Sequence, residues 1–257
     1  MKIVFINILK KLFHKINFLL LKVFFNFKKN KSSNFYNDTK LNLSIINKTI
    51  EFHNNSKCNF KNLNYYRTLK FIKFIKKKNL KSVIDFGGGA GYHYFIARKN
   101  CLNLRWSIIE NDKMVTLCKK KIKHRSLFFF NNINKVKNHD IFFSSCAINY
   151  LKNSEEVLKK ITKKKIKYVY FTRTPFSIKK NINFKQYSLL SDNGPVKLKG
   201  EKNKIVCNEN YLITTNKFES FFKKNFILIK KFVDEKKAFY SDGEYFNTYT
   251  YIFKRRN

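Results

Sequence analysis

The stretch VIDFGGGAGYHYF, residues 83–95, places four of the chain's seven glycines within five positions. Val83, Ile84 and Phe86 form a short apolar run that reads as a buried strand. Gly87, Gly88, Gly89 and Gly91 let the backbone turn sharply and approach a ligand with no Cβ in the way. Tyr92 to Lys99 can open a helix. A strand, a glycine turn and a helix in that order aim free backbone N–H groups at a bound molecule. A tight turn with no ligand would need one glycine rather than four.

The spacing narrows the ligand. A dinucleotide fingerprint reads G-x-G-x-x-G; here it is G-x-G-x-G, with Tyr92 where the last glycine belongs. Asp85, just before the glycines, argues against a phosphate and suits a ligand carrying an amine or another cation. S-adenosylmethionine has both an ammonium and a sulfonium. The next apolar run, 104–109, ends in Glu110, a position from which a carboxylate can hold two ribose hydroxyls. The other reading of Glu110 is a carboxylate facing a helix N-terminus; the glycine loop upstream favours the ribose.

From residue 82 onward strands and helices alternate, the pattern of a largely parallel α/β sheet. Strands are expected at 82–86, 104–109, 126–130, 140–144 and 166–172, with helices at 92–99, 112–122 and 154–162. An irregular insertion spans 175–212 and holds both prolines of the chain. A helix at 214–223 and strands at 226–233 and 246–253 follow, the last two joined by a hairpin loop and therefore antiparallel. Tyr65 to Lys77 reads as a helix, and residues 32–64 as a polar linker and lead-in to a domain spanning 65–257.

Residues 1–31 differ from the rest: they hold eight lysines and no acidic residue. Lys11, Lys15, Lys22 and Lys29 share one helical face, and Ile, Leu, Phe and Val fill the others. No charge-free run of about 18 residues could span a bilayer. The expectation is a basic amphipathic helix lying in a membrane interface, toward anionic headgroups; an ordinary core-packing helix is the alternative.

The formal net charge of +39 invites a nucleic-acid reading. Yet the chain has 48 Lys against 7 Arg, with 33 Asn and 29 Phe, which reads as AT-rich coding rather than selection for phosphate recognition. The five cysteines (58, 101, 118, 146 and 207) lack metal-binding spacing and read as free thiols of a reducing cytoplasm. No metal site is expected.

The order of elements resembles that of the class I S-adenosylmethionine-dependent methyltransferases, a Rossmann-like α/β fold whose sheet ends in an antiparallel hairpin. DFGGGAGYHYF (85–95), RWSIIE (105–110), SSCAINYL (144–151) and RTPF (173–176) further resemble, in order, a family of bacterial methyltransferases encoded among genes of surface-polysaccharide biosynthesis. The resemblance runs from about residue 65 to the C-terminus and implies a reaction type rather than an acceptor. In such sheets ligands lie at the carboxyl ends of the strands. Asp85, Gly87, Gly89 and Gly91 should then hold the methionine part and Glu110 the ribose. Asn131 and Asn132 sit where the class reads the adenine amino group. Ser145 and Cys146 fall beside the methyl group, with Asn149 and Tyr150 beyond.

On the acceptor side the candidates are His93, Tyr150 and Arg173. His93 can contact the methionine carboxylate or serve as a general base, or it is an exposed first-turn residue. Arg173, followed by Thr174, can grip a carboxylate or phosphate through two bonds, or form a structural ion pair. Nitrogen-directed nucleobase methyltransferases usually carry an Asp/Asn-Pro-Pro-aromatic motif after strand four; SSCAINYL has no proline. The expected acceptor is therefore an oxygen of a sugar or glycan intermediate, small or anionic, met in the cytoplasm at the inner membrane face. Methylation of RNA, or binding without catalysis, are the competing functions.

Overall fold

The computed structural model describes residues 38–55, 63–189, 193–196, 205–241 and 244–256. The expected basic helix of residues 1–31 lies outside them.

Asp38 opens the described chain by accepting a hydrogen bond from Lys40 N at 2.7 Å, capping helix α1, Thr39–Asn54. This corrects the linker expected there. The segment is rich in Asn and Lys, but Leu41, Ile46, Thr49 and Phe52 recur on one face and are buried. Helix α2, Leu63–Lys77, buries Phe71, Ile72 and Ile75.

The alternating region then follows: β1 Ser82–Phe86, α3 Tyr92–Lys99, β2 Arg105–Ile109, α4 Asp112–Lys121, β3 Leu127–Phe130, β4 Ile141–Ser145, α5 Ser154–Lys163 and β5 Tyr168–Pro175. A two-stranded unit comes next, β6 Ile182–Leu189 and β7 Ile205–Leu212, then α6 Thr215–Lys223, β8 Phe226–Ser241 and β9 Glu244–Arg255. The main sheet has seven strands in the order β3-β2-β1-β4-β5-β9-β8. The first five are parallel, and β9 enters antiparallel between β5 and β8.

Two expectations from the sequence are corrected here. The insertion at 175–212 is not irregular: β6 and β7 pair antiparallel from Ile182↔Leu212 to Leu189↔Ile205. The hairpin loop expected after residue 233 is strand, because β8 continues to Ser241 and β9 starts at Glu244. Three register shifts in that ladder, one beside Asp234, break the alternation that a sequence pattern relies on.

Each face of the sheet carries its own core. Phe71 of α2 stacks on Phe143 of β4 at 3.9 Å between ring centroids, with Trp106 and Tyr170 around it. On the other face Phe218 and Phe222 of α6 pack among Phe171, Tyr251 and Phe253. Each such ring, fully withdrawn from water, contributes about 1.5–3 kcal/mol. The glycine loop lies at the carboxyl end of β1, ahead of α3.

Candidate active site

Asp85, near the end of β1, is buried, and its Oδ2 accepts a hydrogen bond from Trp106 Nε1 at 3.0 Å. Its Oδ1 is buried with no partner. Burial, opposed by the Trp106 bond and reinforced by the nearby Glu110 charge, raises its pKa to about 7. The loop thus offers a carboxylate oxygen that needs a donor or a cation.

The glycines above it have different tasks. A Cβ on Gly88 would lie 2.5 Å from the Asp85 carboxylate, and one on Gly87 would lie 2.2 Å from Ala147 Cβ. Those two are glycine because the protein itself fills the space. Gly89 has φ +58°, and the nearest atom to its Cβ position is Ile45 Cγ2 at 3.7 Å. A Cβ would meet only that side chain, at ordinary van der Waals distance, so it is the positive φ rather than crowding that favours glycine at 89. Gly91, at φ +96°, turns the chain into α3.

Glu110 bridges the loop and the next helix. Its Oε1 accepts from Gly89 N at 3.0 Å and its Oε2 from Asn111 N at 3.1 Å. Burial raises its pKa against these bonds. The bond from Asn111 N is that of a carboxylate at a helix start, and the bond from Gly89 N ties Glu110 to the glycine loop. Asn131 and Asn132 do follow β3, but their side chains serve the surface. Asn131 Nδ2 donates to Asp112 at 2.6 Å, and Asn132 Oδ1 accepts from Asn134 N at 2.9 Å.

α1 lies over this loop, through Ile45 and through the edge-on contact of Phe52 with Tyr92 at 4.9 Å. Asn42, one turn before Ile45, is buried with neither carboxamide atom partnered. Sequence reasoning missed it because the helix itself was missed; the signal was Leu41, Ile45, Thr49 and Phe52 at helical spacing.

His93 is half-buried, edge-on to Phe143, with Nδ1 2.8 Å from Thr68 Oγ1. This corrects the exposed first-turn alternative. Thr68 spends its own hydrogen on Asn64 O at 2.9 Å, so the histidine donates through Nδ1 and keeps a lone pair on Nε2. Burial, and then the charge of Arg173, push its pKa down to about 3. His93 is therefore neutral near pH 7 and too weak a base to store a proton; it can orient a hydroxyl by accepting its hydrogen bond.

Arg173 occupies a bulge of β5, at φ +52°, in the left-handed region that favours glycine. Asp234, in a bulge of β8 on the far side of β9, holds it there. Asp234 Oδ2 accepts from Arg173 N at 2.8 Å, Thr250 Oγ1 at 2.6 Å and Thr172 Oγ1 at 3.2 Å. The Arg173 guanidinium itself makes no hydrogen bond or ion pair among the described residues, so the structural ion pair considered above is absent among them. Arg67 of α2 stands close enough for Arg173 to help lower its pKa, after burial, and is paired to Glu235 at 3.3 Å.

Ser145 ends β4 opposite Thr172, and Cys146 at φ +52° donates to Thr172 O at 3.1 Å. Beyond them Asn149 Nδ2 donates to Asn210 Oδ1 at 2.6 Å, and Tyr150 OH to Gln186 Oε1 at 3.3 Å. Asn210 Nδ2 also donates to Gln186 Oε1, at 3.0 Å. Gln186 and Asn210 lie in the insertion, where only their alternation with Phe184 and Leu212 signals strand.

A parallel sheet reversed at its switch point, a glycine loop at the carboxyl end of β1 and an antiparallel final strand between β5 and β8 make up the class I S-adenosylmethionine-dependent methyltransferase fold. No protein-family model matches the sequence, and no curated protein matches it. A solved S-adenosylmethionine-dependent methyltransferase from Clostridium acetobutylicum ATCC 824 shares the fold at TM-score 0.50 and 12% identity, covering 81% of this chain and 98% of that one. Magnesium protoporphyrin IX methyltransferase from Synechocystis PCC 6803, with bound S-adenosylmethionine, matches at TM-score 0.48 and 10% identity, over 76% of this chain and 80% of that one. The glycopeptide N-methyltransferase MtfA, complexed with sinefungin, matches at TM-score 0.48 and 10% identity, over 74% and 87%.

Proposed function

We propose that the protein is an S-adenosylmethionine-dependent methyltransferase acting on an oxygen of a sugar or glycan intermediate of surface-polysaccharide assembly. The observation that carries the cofactor reading is Asp85 Oδ1, buried beneath the glycine loop and without a partner among the described residues. The residues fit the group: a buried carboxylate oxygen for its ammonium, a second carboxylate, Glu110, for its ribose, and Gly89 between them, with only the Ile45 side chain near its Cβ position. When bound, S-adenosylmethionine supplies a methyl group on a sulfonium, which passes in line to the acceptor oxygen, leaving S-adenosylhomocysteine and a proton.

The chain's own contribution is placement and charge. Asp85 and Glu110 hold the cofactor side, and α1 excludes water from above the loop. His93 Nε2 orients the acceptor hydroxyl. Arg173, its backbone strained and its guanidinium paired with none of the described residues, holds an anionic group of the acceptor such as a phosphate. The Asp234 bond to Arg173 N fixes where the side chain starts, and aligned reactants give large rate gains. We further propose that residues 1–31 bring the protein to anionic headgroups at the cytoplasmic membrane face, through Lys11, Lys15, Lys22 and Lys29.

The test pairs calorimetry with S-adenosylhomocysteine and transfer of labelled methyl from S-adenosylmethionine to a cell glycan extract. Saturable binding and base-labile or ether-linked label in the glycan fraction are expected. Absence of cofactor binding would overturn the enzyme reading, and label in RNA instead would overturn the acceptor.

A further inference from the structure

We propose that the carboxamides of Asn149, Gln186, Asn208 and Asn210, with the hydroxyl of Tyr150, form an acceptor subsite for an uncharged, hydroxyl-rich ring: the sugar itself. The proposal rests on the methyltransferase reading and specifies the wall of the site that reads the acceptor.

The placement comes from the fold. The 3₁₀ turn Ile148–Tyr150 follows β4 directly, and Ala147 just before it is packed against the glycine loop at Gly87. The β6–β7 hairpin is fastened to this turn. On the hairpin's inner face Ile182, Phe184 and Gln186 alternate along β6, and their registered partners on β7 are Leu212, Asn210 and Asn208. That face starts apolar, where Phe184 and Leu212 cluster with Phe246, and carries carboxamides at Asn210 and at the Gln186–Asn208 pair.

The hydrogen bonds run as a chain: Asn149 to Asn210, Asn210 to Gln186, and Tyr150 to Gln186. A structural clasp between turn and hairpin would account for that much. It does not account for two further atoms. Asn149 Oδ1 and Asn208 Oδ1 are buried acceptors with no partner among the described residues, on residues only 3% and 7% exposed. Buried polar atoms are rarely left unsatisfied, and those that are call for an explanation.

Two vacant acceptors select for donors. The ionised oxygens of a phosphate or carboxylate only accept, and meet vacant acceptors as repulsion. A hydroxyl donates and accepts, so adjacent ring hydroxyls can satisfy both a vacant oxygen and a neighbouring amide N–H. None of the five side chains is charged, so the subsite gains nothing from a charged ligand. The division of labour is then geometric: Arg173 takes an anionic substituent, and the carboxamides read the ring. A site built to bond hydroxyls rejects rings that lack them, because its own polar atoms would stay unpaired.

The experiment uses the full chain. Methyl α-glucopyranoside, methyl α-galactopyranoside and methyl α-mannopyranoside are titrated separately while side-chain amide NMR signals of the four residues are followed, with inorganic phosphate as the anionic probe. At least one pyranoside should shift these signals, and phosphate should not. In Asn208→Leu the melting temperature should hold or rise, since no internal hydrogen bond is lost, while pyranoside affinity falls about tenfold or more. Asn208→Ala serves as a second variant should leucine prove too bulky. No response to any pyranoside, a response to phosphate alone, or unchanged pyranoside affinity in both variants would overturn the subsite. S-adenosylhomocysteine calorimetry on the same samples separates the two readings: retained cofactor binding without a pyranoside response overturns the subsite alone, whereas loss of cofactor binding in the wild type overturns the enzyme.

Discussion

Trp106 Nε1 donates to Asp85 Oδ2 at 3.0 Å across adjacent parallel strands, and so leaves Oδ1 as the one carboxylate oxygen without a partner beneath the glycine loop. The bond fixes which oxygen is offered and how it is aimed. Asp85→Asn should weaken S-adenosylhomocysteine binding by about 10- to 150-fold, the worth of one charge-assisted hydrogen bond of about 1.5–3 kcal/mol. Calorimetry of the two proteins at pH 8 measures it directly.

The same carboxyl makes binding depend on pH. Its pKa is raised to about 7 in the folded protein from an ordinary 3.8. The free folded state therefore holds a proton that the unfolded chain releases, and Asp85's contribution to stability declines as pH rises from about 4 to 7. An ammonium ligand favours the ionised form, so binding expels that proton below pH 7. Affinity should rise with pH up to about 7 and then level, with a slope no steeper than about tenfold per pH unit. Asp85→Asn should flatten the profile; a wild-type profile already flat would show that the carboxyl does not meet the ligand's charge.

His93 predicts the opposite stability trend. Its pKa falls to about 3 from the ordinary 6.5, so its stabilising contribution is full above 6.5 and is lost as pH drops toward 3. His93→Gln should lessen acid destabilisation over that interval in thermal melts run from pH 7 to 4.

The glycines should separate by effect. Gly89→Val should abolish cofactor binding in a folded protein, at a backbone cost of about 1–2 kcal/mol for the left-handed φ. Gly88→Ala should instead destabilise the fold, because its Cβ meets the Asp85 carboxylate at 2.5 Å. Circular dichroism melts alongside calorimetry distinguish the two.

Arg173 combines backbone strain with a guanidinium that pairs with none of the described residues. Arg173→Gly should raise stability by about 1 kcal/mol by relieving the positive φ, yet lower methyl transfer by about 10- to 150-fold with cofactor affinity unchanged. Arg173→Lys should recover part of the rate, having the charge without the two-pronged geometry. A variant that loses both stability and cofactor binding would place the residue elsewhere in the site.

β1 and α3 were legible in the sequence at their observed bounds, and the antiparallel pairing of the last two strands was legible as well. Those features are local: apolar runs, a glycine cluster and helical spacing act within a few residues of themselves, whatever surrounds them. Tertiary structure decided the rest. α1 and the β6–β7 hairpin are diluted by Asn and Lys, and only burial against distant partners makes their patterns count. Asp234 shapes the Arg173 bulge from 61 residues away, and Asn149 meets Asn210 across the same distance. The weakness of His93 as a base belongs to no stretch of sequence, since burial and a nearby guanidinium set it, and both exist only once the chain has packed.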